Sequence, residues 1–597
     1  MVPPPSVTVT EQLHRILASP PFANAERMRR YLRFIVEHAL SFPNESLKEM
    51  TVGMALYARK DDDFDPRTTA VVRVDATRLR VKLLEYYSSQ GAGDPIVIDL
   101  PKGSYTPIFR EASNHHAPKD SAESRIAEPS VVVLPFSNLS PDPEAYFSDG
   151  LSEEIIHALS SVRGIRVVAR TSAFALKHRN ADVREIGRLL NVEFVLEGSV
   201  RKYGEDLRVT VQMASTADGY QLWSRRYERK VKDVFVVQEE IARAITDMLR
   251  GDNLQETEAV HAQSSQDFES YEWYLRGRHH LNRQTREEFH RAIECFERAC
   301  VRKPAYSLAL SGMAVAWFYL GIFSMDAPLE TMPRARSAAT RALEINEHDG
   351  DALSVLASTR AMFDWNWSEA ELLFKKSLDA RSRSDLPEHL YALLVLLPLV
   401  RIEEALNILD LARRLDPLSL FVAATRGAVL LMARRITEAE HEYRRSLELD
   451  PSFWRALVGL GRCHEARGDY EKAIACFEQA TYVSDNVPTA IGALGRAYAM
   501  AGKRIEARQL LDKLDDLARH RYVSPYGRVL IYLGLKDAAV FDWLERSCDE
   551  RAGWLMYFAT DPRFDSLRGD ARFQALLDKL HLPKIAPPDV SAPPSFQ

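Results

Sequence analysis

The chain has 597 residues, 46% hydrophobic and 27% charged, with 78 Lys and Arg against 84 Asp and Glu for a net charge of −6. This composition excludes a disordered, collagen-like or wholly membrane-embedded chain, and the acidic balance excludes a polybasic nucleic-acid coat. The length implies several domains at about 150 residues each, and five cysteines with no CxxC pair exclude a disulfide framework. The N-terminal MVPPPSVTVTEQLHR has no basic stretch leading into an apolar core. No secretory signal is expected, and the expected location is cytoplasmic.

Residues 1–110 carry 15 Lys and Arg against 13 Asp and Glu and form the only net-positive part. Asn24 is placed to cap a helix, AERMRRYLRFIVEHAL, with Met28, Leu32, Ile35, Val36 and Ala39 on one side. A second helix is predicted from Ser46, with Glu49 completing a capping box. After the turn-rich DDDFDPR, a longer helix over 68–88 places Val72, Ala76, Leu79, Leu83 and Tyr86 on its apolar stripe. Arg73, Arg78, Arg80 and Lys82 make it basic, while Asp75 and the acidic cluster Asp61, Asp62, Asp63 and Asp65 oppose that charge. DPIVIDLPKGSYTPIF then reads as two short strands with Lys102 at the hairpin tip. Three helices followed by a hairpin is winged-helix order. VVRVDATRLRVKL with IVIDLPKGSYTPIF is similar to the recognition helix and wing of response-regulator effector domains of the OmpR/PhoB type. The resemblance implies double-stranded DNA as a partner, contacted through Arg73, Arg78, Arg80, Lys82 and Lys102.

Residues 111–129 are polar and aperiodic and read as a linker. From 130 to 250 the predicted order is βαβαβββα. SVVVLPF is a buried strand, and the next helix carries Leu151, Ile155, Ile156 and Leu159, with Ser148 or Asp149 as cap. Glu153 and His157 are an i, i+4 pair, but no further ligand has metal-site spacing, and acids in a first turn suit the helix dipole. VVVLPFSNLSPDPEAYFSDGLSEEIIHAL, DVREIGRLLNVEFVLEGSV and GYQLWSRRYERKVKDVFVVQEEIA resemble the TolB-like domain, related to the flagellar FlgO domain. That resemblance implies an interaction or assembly module. Such modules are often joined to a nucleotide-cyclase domain, for which this chain has no segment. GxxxxGK[ST], GxSxG and HExxH are all missing from the sequence.

Residues 267–582 read as helix throughout. Alanines recur at Ala292, Ala335, Ala370, Ala405, Ala439, Ala473 and Ala507, at intervals of 43, 35, 35, 34, 34 and 34. A larger residue follows four later in most units: Phe296, Phe374, Leu409, Tyr443, Phe477, Leu511. Gly427, Gly461 and Gly495 each precede the next alanine by 12. Small residues let paired helices approach, and the bulky residue fills the seam. A 34-residue helix–turn–helix period is the tetratricopeptide (TPR) period, and GRCHEARGDYEKAIACFEQA resembles one unit. The uncharged run from Pro304 to Met325 is long enough to span a bilayer. It falls in phase with the repeat, so a buried soluble helix is predicted there. The 43-residue step implies an inserted loop near 322–333, and DPRFDSLRGDARFQALLDKL is expected to cap the last unit. The resemblance implies a protein or peptide ligand, with Trp454, Arg455, Arg462 and Arg496 as groove candidates. The Pro-rich 583–597 reads as a disordered tail.

The expected fold is multidomain and mainly α: a winged-helix-like α+β domain (1–110), a linker (111–129), an α/β TolB-like domain (130–250) and a C-terminal TPR α-solenoid (267–582). The expected function is that of a non-enzymatic cytoplasmic regulator that binds DNA and, through the array, a protein partner. No cofactor, metal or membrane segment is expected. The alternatives are an interaction scaffold without DNA binding, or an accessory chain of a nucleotide-cyclase signalling system.

Overall fold

A computed structural model of the chain describes residues 6–23, 25–42, 46–57, 71–88, 90–91, 93–101, 104–111, 128–140, 146–162, 164–177, 179, 181–250, 267–380 and 386–585. Asn24, the acidic run 61–65, Lys102, residues 112–127 of the linker and the tail from 586 lie outside the described residues. The chain divides into two compact units. The first holds Met1–Ser130 with Gly164–Arg166 and Gln212–Arg225, and the second holds Val131–Arg163, Val167–Val211 and Arg226–Gln597.

The first unit begins with α1 (Ser6–Ala18), α2 (Pro20–Ala23), α3 (Glu26–Ser41), α4 (Glu49–Leu56) and α5 (Val71–Ser88). They are followed by β1 (Ile96–Asp99) and β2 (Ile108–Glu111), which pair antiparallel with Ile96 opposite Glu111. The stripes read from the sequence on α3 and α5 are buried at every named position. Two local expectations are corrected. Helix α1 was not anticipated, yet its Val9, Leu13, Ile16 and Leu17 enter the same core. Helix α4 starts at Glu49 after Lys48, three residues beyond Ser46, and Lys48 provides no side-chain cap.

Next come β3 (Ser130–Val133), β4 (Ser137–Asn138), α6 (Tyr146–Ser160), β5 (Arg166–Val167), α7 (Arg170–Phe174), α8 (Val183–Leu190), β6 (Phe194–Tyr203), β7 (Asp206–Ser215), β8 (Gln221–Lys230) and α9 (Val234–Arg250). The strand order is β5-β3-β6-β7-β8, with β4 also on β6. Strand β3 runs parallel to β6 with Val132 opposite Val195, and is buried on both faces as its run of three valines requires. Helix α6 begins at Tyr146, so Ser148 and Asp149 lie inside it and not at its cap. The short β4 and α7 add to the predicted order.

The remainder is helical. The helices pair as α10 (Phe268–Leu281) with α11 (Arg286–Arg302), α12 (Ser307–Ile322) with α13 (Pro328–Ile345), and α14 (Gly350–Met362) with α15 (Trp367–Asp379). They continue with α16 (Leu386–Tyr391) and α17 (Ile402–Leu415), α18 (Leu420–Met432) and α19 (Ile436–Leu449), and α20 (Trp454–Ala466) and α21 (Tyr470–Val483). Last are α22 (Pro488–Met500) with α23 (Arg504–Ala518), α24 (Tyr526–Leu535) with α25 (Val540–Asp549), and the terminal α26 (Ala571–Lys579). The seven alanines of the series fall on the second helices α11 to α23, and all are fully buried. The glycines explain the bulky partners. A Cβ at Gly427 or Gly459 would meet the Tyr443 ring within 2.8 and 2.2 Å, and one at Gly461 would meet Phe477 at 2.6 Å. Each ring is seated where the facing helix has no side chain, which lets the helices close to backbone distance.

The 43-residue step is not a simple inserted loop. Helix α12 has 16 residues where α14, α18, α20 and α22 have 13, and α13 starts seven residues before Ala335. The extra length goes chiefly into helix, joined by Phe323–Ala327. Helix α12 is the uncharged run, and it is packed between α11, α13 and α14. Among the described residues no helix is long and apolar enough to cross a membrane.

Candidate functional site

The first helices of successive pairs touch one another: α10 meets α12, α12 meets α14, α14 meets α16, α18 meets α20, and α20 meets α22. A stacked array is most crowded on its inner side, so these helices form the inner face. All four groove candidates lie on them.

Two of the four are neutralised from within the chain. Arg496 pairs with Glu465, and both side chains are nearly buried. Arg462 reaches Asp561 at 3.1 Å, and Arg563 holds the same carboxylate at 2.7 Å, with no part of the Asp561 side chain exposed. Burial pushes the Asp561 carboxyl up, but the Arg462 and Arg563 charges outweigh it and hold it far below the usual carboxylate range.

Asp561 belongs to the segment expected to cap the last pair. That segment packs on the last pair, with α26 against α25 and Arg572 over the Phe541 ring at 3.6 Å, and the chain from Gly553 onward also reaches back to earlier helices. Gly553 lies against Ile322 of α12 and Met362 of α14, and the Tyr557 hydroxyl donates to the Leu393 carbonyl at 3.1 Å. Asp565 pairs with Arg434 at 2.6 Å, and the Trp367 indole donates to the Leu580 carbonyl at 3.0 Å. Phe558, Phe564 and Phe573, all fully buried, pack ring against ring, with Phe564 stacked on Phe573. Part of the inner face is therefore covered by the chain itself.

Trp454 and Arg455, at the start of α20, stand apart from these pairs. The Arg455 guanidinium carbon lies 3.9 Å from the Phe323 ring centre, 4.5 Å from Trp454 and 5.3 Å from Phe421. Phe421 meets Phe453 edge-on at 5.6 Å and His389 at 6.2 Å, and Tyr319 stacks on Phe323 at 5.2 Å. Residues from α12, α16, α18 and α20 thus build one aromatic recess around a cation. Of the flanking aromatics, Phe323 and Phe421 were not singled out in the sequence. Phe421 and Arg455 are 34 residues apart, at the same position in successive units, and that spacing was the available signal.

A second feature is a cleft of about 380 Å³ where α10 docks on α6 and α7. Its charges satisfy one another. Glu153 accepts from Arg170, from Arg278 at 3.2 Å and from Asn282 at 3.0 Å, and Lys177 grips Asp149 at 2.5 Å. Burial pushes Glu153 up, but Arg170 and Arg278 reverse the shift and lower it. Glu153 is therefore an anchor between helices and not half of a metal pair with His157. No cluster of three or more metal-ligating side chains occurs among the described residues. A further junction ties α7 to the array: Ser172 donates to Asp416, and the Leu418 amide donates to the Ser172 hydroxyl at 2.8 Å.

The basic helix α5 shows a different pattern. Arg80 donates to the carbonyls of Leu100, Pro101 and Ser104 at 2.8, 3.0 and 2.9 Å. Lys82 donates to Pro21 at 2.6 Å. Arg78 pairs at 3.4 Å with Asp75, which is itself buried and also bonds Arg27 and Tyr57. Arg73 lies on α5. Lys102 is outside the described residues.

One family comparison agrees with the repeat. The tetratricopeptide-repeat family matches residues 425–491, which span α18 to α21 and the start of α22. A Rhizobium meliloti (strain 1021) protein named "Putative adenylate cyclase 3" is 40% identical over 177 residues, 28% of this chain and 30% of that protein. The chain therefore spans under a third of that relative's length. Among solved structures, the human IFIT1 dimer with PPP-AAAA aligns over 59% of this chain and 77% of its own at 15% identity, with a TM-score of 0.38. YrrB, described as a TPR protein with an unusual peptide-binding site, aligns over 34% of this chain and 98% of its own at 19% identity, with a TM-score of 0.23. The chain carries a C-terminal TPR-like helical array.

Proposed function

We propose that the protein is a non-enzymatic interaction protein whose helical array receives a peptide segment of a protein partner on its inner face. The observation that carries this reading is the recess at Arg455, an aromatic and cationic surface inside a TPR array, the kind of surface that extended concave repeats use for ligands. The middle domain, read as TolB-like, is the assembly module fixed to α10 and α17. The test is selection of a random peptide display library on the full chain, followed by anisotropy titration of the enriched peptides. Affinity is expected to fall at least tenfold with Trp454→Ala or Phe421→Ala. An empty selection, or binding indifferent to both changes, contradicts the proposal.

DNA binding by the N-terminal domain, read as winged-helix-like, is the finer reading from the sequence, and its basis is narrower than the motif implied. Arg80 and Lys82 donate to backbone carbonyls and Arg78 to Asp75, so the reading rests on Arg73 and Lys102. Loss of duplex binding at low salt on Arg73→Ala/Lys102→Ala supports it, and equal binding or none removes it. A second reading, an accessory chain of a nucleotide-cyclase signalling system, is favoured by the cyclase-named relative. Turnover of ATP to cyclic AMP by the pure chain would contradict both non-enzymatic readings.

A further inference from the structure

Arg455 differs from the other arginines enclosed in the array. Arg426, Arg462, Arg496, Arg528, Arg563 and Arg568 each rest against a carboxylate. Arg455 has no hydrogen bond or ion pair to any described residue, and it is half-buried among rings. Arg551 is the instructive comparison. It stacks on Trp365 at 3.6 Å, but its Nη1 is buried without a partner, so it has no opening through which a ligand could reach that nitrogen.

Stacking has a directional consequence. Aromatic rings engage the flat faces of a guanidinium, while its N–H donors lie in the plane and point outward in a fork that matches a carboxylate. Phe323, Trp454 and Phe421 surround the cation within 5.3 Å, and none of its N–H donors is given to a described residue, so the donors remain for a ligand. The rings also exclude water and lower the local dielectric, which strengthens any pair formed there. Burial among the rings lowers the Arg455 pKa, as expected for a cation that lacks an anion. Two turns along the same helix, Asp561 shows the occupied counterpart: a carboxylate of the chain's own C-terminal segment seated on Arg462.

We infer that the Arg455 guanidinium is the receptor for a single carboxylate presented by an acidic peptide. The peptide as the source of the carboxylate rests on the function proposed above; the anion site itself does not. Two measurements on the full chain separate them. In the first, the chain is labelled with 15N-arginine, and the Arg455 Nε–H signal is identified by its loss in Arg455→Lys. Sodium acetate is then exchanged for sodium chloride at constant ionic strength. A saturable shift of that signal, with the signals of Arg426, Arg462 and Arg496 unmoved, is expected. No shift, or a linear drift common to all, overturns the anion site.

In the second, display-selected peptides are compared with copies carrying Asn for Asp and Gln for Glu. The acidic peptides are expected to bind about 10- to 100-fold more tightly, the scale of one charge-assisted pair. That preference should vanish in Arg455→Gln and survive in part in Arg455→Lys, each variant having first been shown to melt like the unmodified chain. Peptides that bind equally in acid and amide form overturn the inference and leave the peptide reading standing. A chain that takes acetate at Arg455 but selects no peptide keeps the anion site and removes the peptide reading.

Discussion

Asp561 shows how one residue can organise a surface. Its carboxylate has no exposed surface and joins Arg462 on the inner face to Arg563 in its own segment. A carboxyl whose pKa is lowered on folding contributes stability above its unfolded value of about 3.9 and loses it as pH falls below that value. Equilibrium urea unfolding is therefore expected to show this contribution intact at neutral pH and eroding below about pH 4. Asp561→Asn should cost about 3–5 kcal/mol at neutral pH, because two guanidiniums are left buried without their anion. It should also flatten the acid limb of the profile. An unchanged urea midpoint would contradict this assignment.

The same scale explains which site residues were legible. That Arg80 and Lys82 are basic is plain from the sequence, but their commitment to the Leu100, Pro101, Ser104 and Pro21 carbonyls follows from chain crossings with no local signature. Arg455 and Arg496 likewise look alike in sequence. Glu465, 31 residues away, separates them by filling one site and not the other.

At the scale of the element, the array was legible because its packing rule is local and repeats. A small residue is needed wherever a ring must sit between helices, so the alanine and glycine series records the seams directly. Gly461 tests this. Its added Cβ would lie 2.6–2.9 Å from three atoms of the Phe477 ring, which is fully buried and cannot retreat. Gly461→Ala is expected to lower stability by about 1–3 kcal/mol through overpacking, and Gly461→Ala/Phe477→Leu should recover part of it. Thermal denaturation followed by circular dichroism measures both; a Gly461→Ala chain as stable as the original would contradict the seam.

Helix α1 was missed for the opposite reason. SVTVT alternates β-branched and polar residues, a strand-like pattern. Burial of Val9, Leu13, Ile16 and Leu17 in a shared core overrides that local preference. The reach of the chain from Gly553 onward back to earlier helices was missed similarly, since the partners Trp367, Leu393, Arg434 and Arg462 are spread over about 100 residues.

At the scale of the molecule, the inner face of the array is partly filled by the chain itself, and the proposed function assigns the remainder to a partner. That face carries the C-terminal segment through Asp561 on Arg462, with Asp565 on Arg434 beside it, while Arg455 in its aromatic recess has no ion pair from the described chain. The account predicts that ligand binding is confined to that recess and leaves the C-terminal segment seated.

Hydrogen–deuterium exchange on the full chain, with and without a selected peptide, tests this most directly. The predicted result is added protection at the end of α12 and the first turns of α18 and α20, with the segment 551–582 unchanged. Protection confined to α19, α21 or the N-terminal unit, or deprotection of 551–582 on binding, would contradict it.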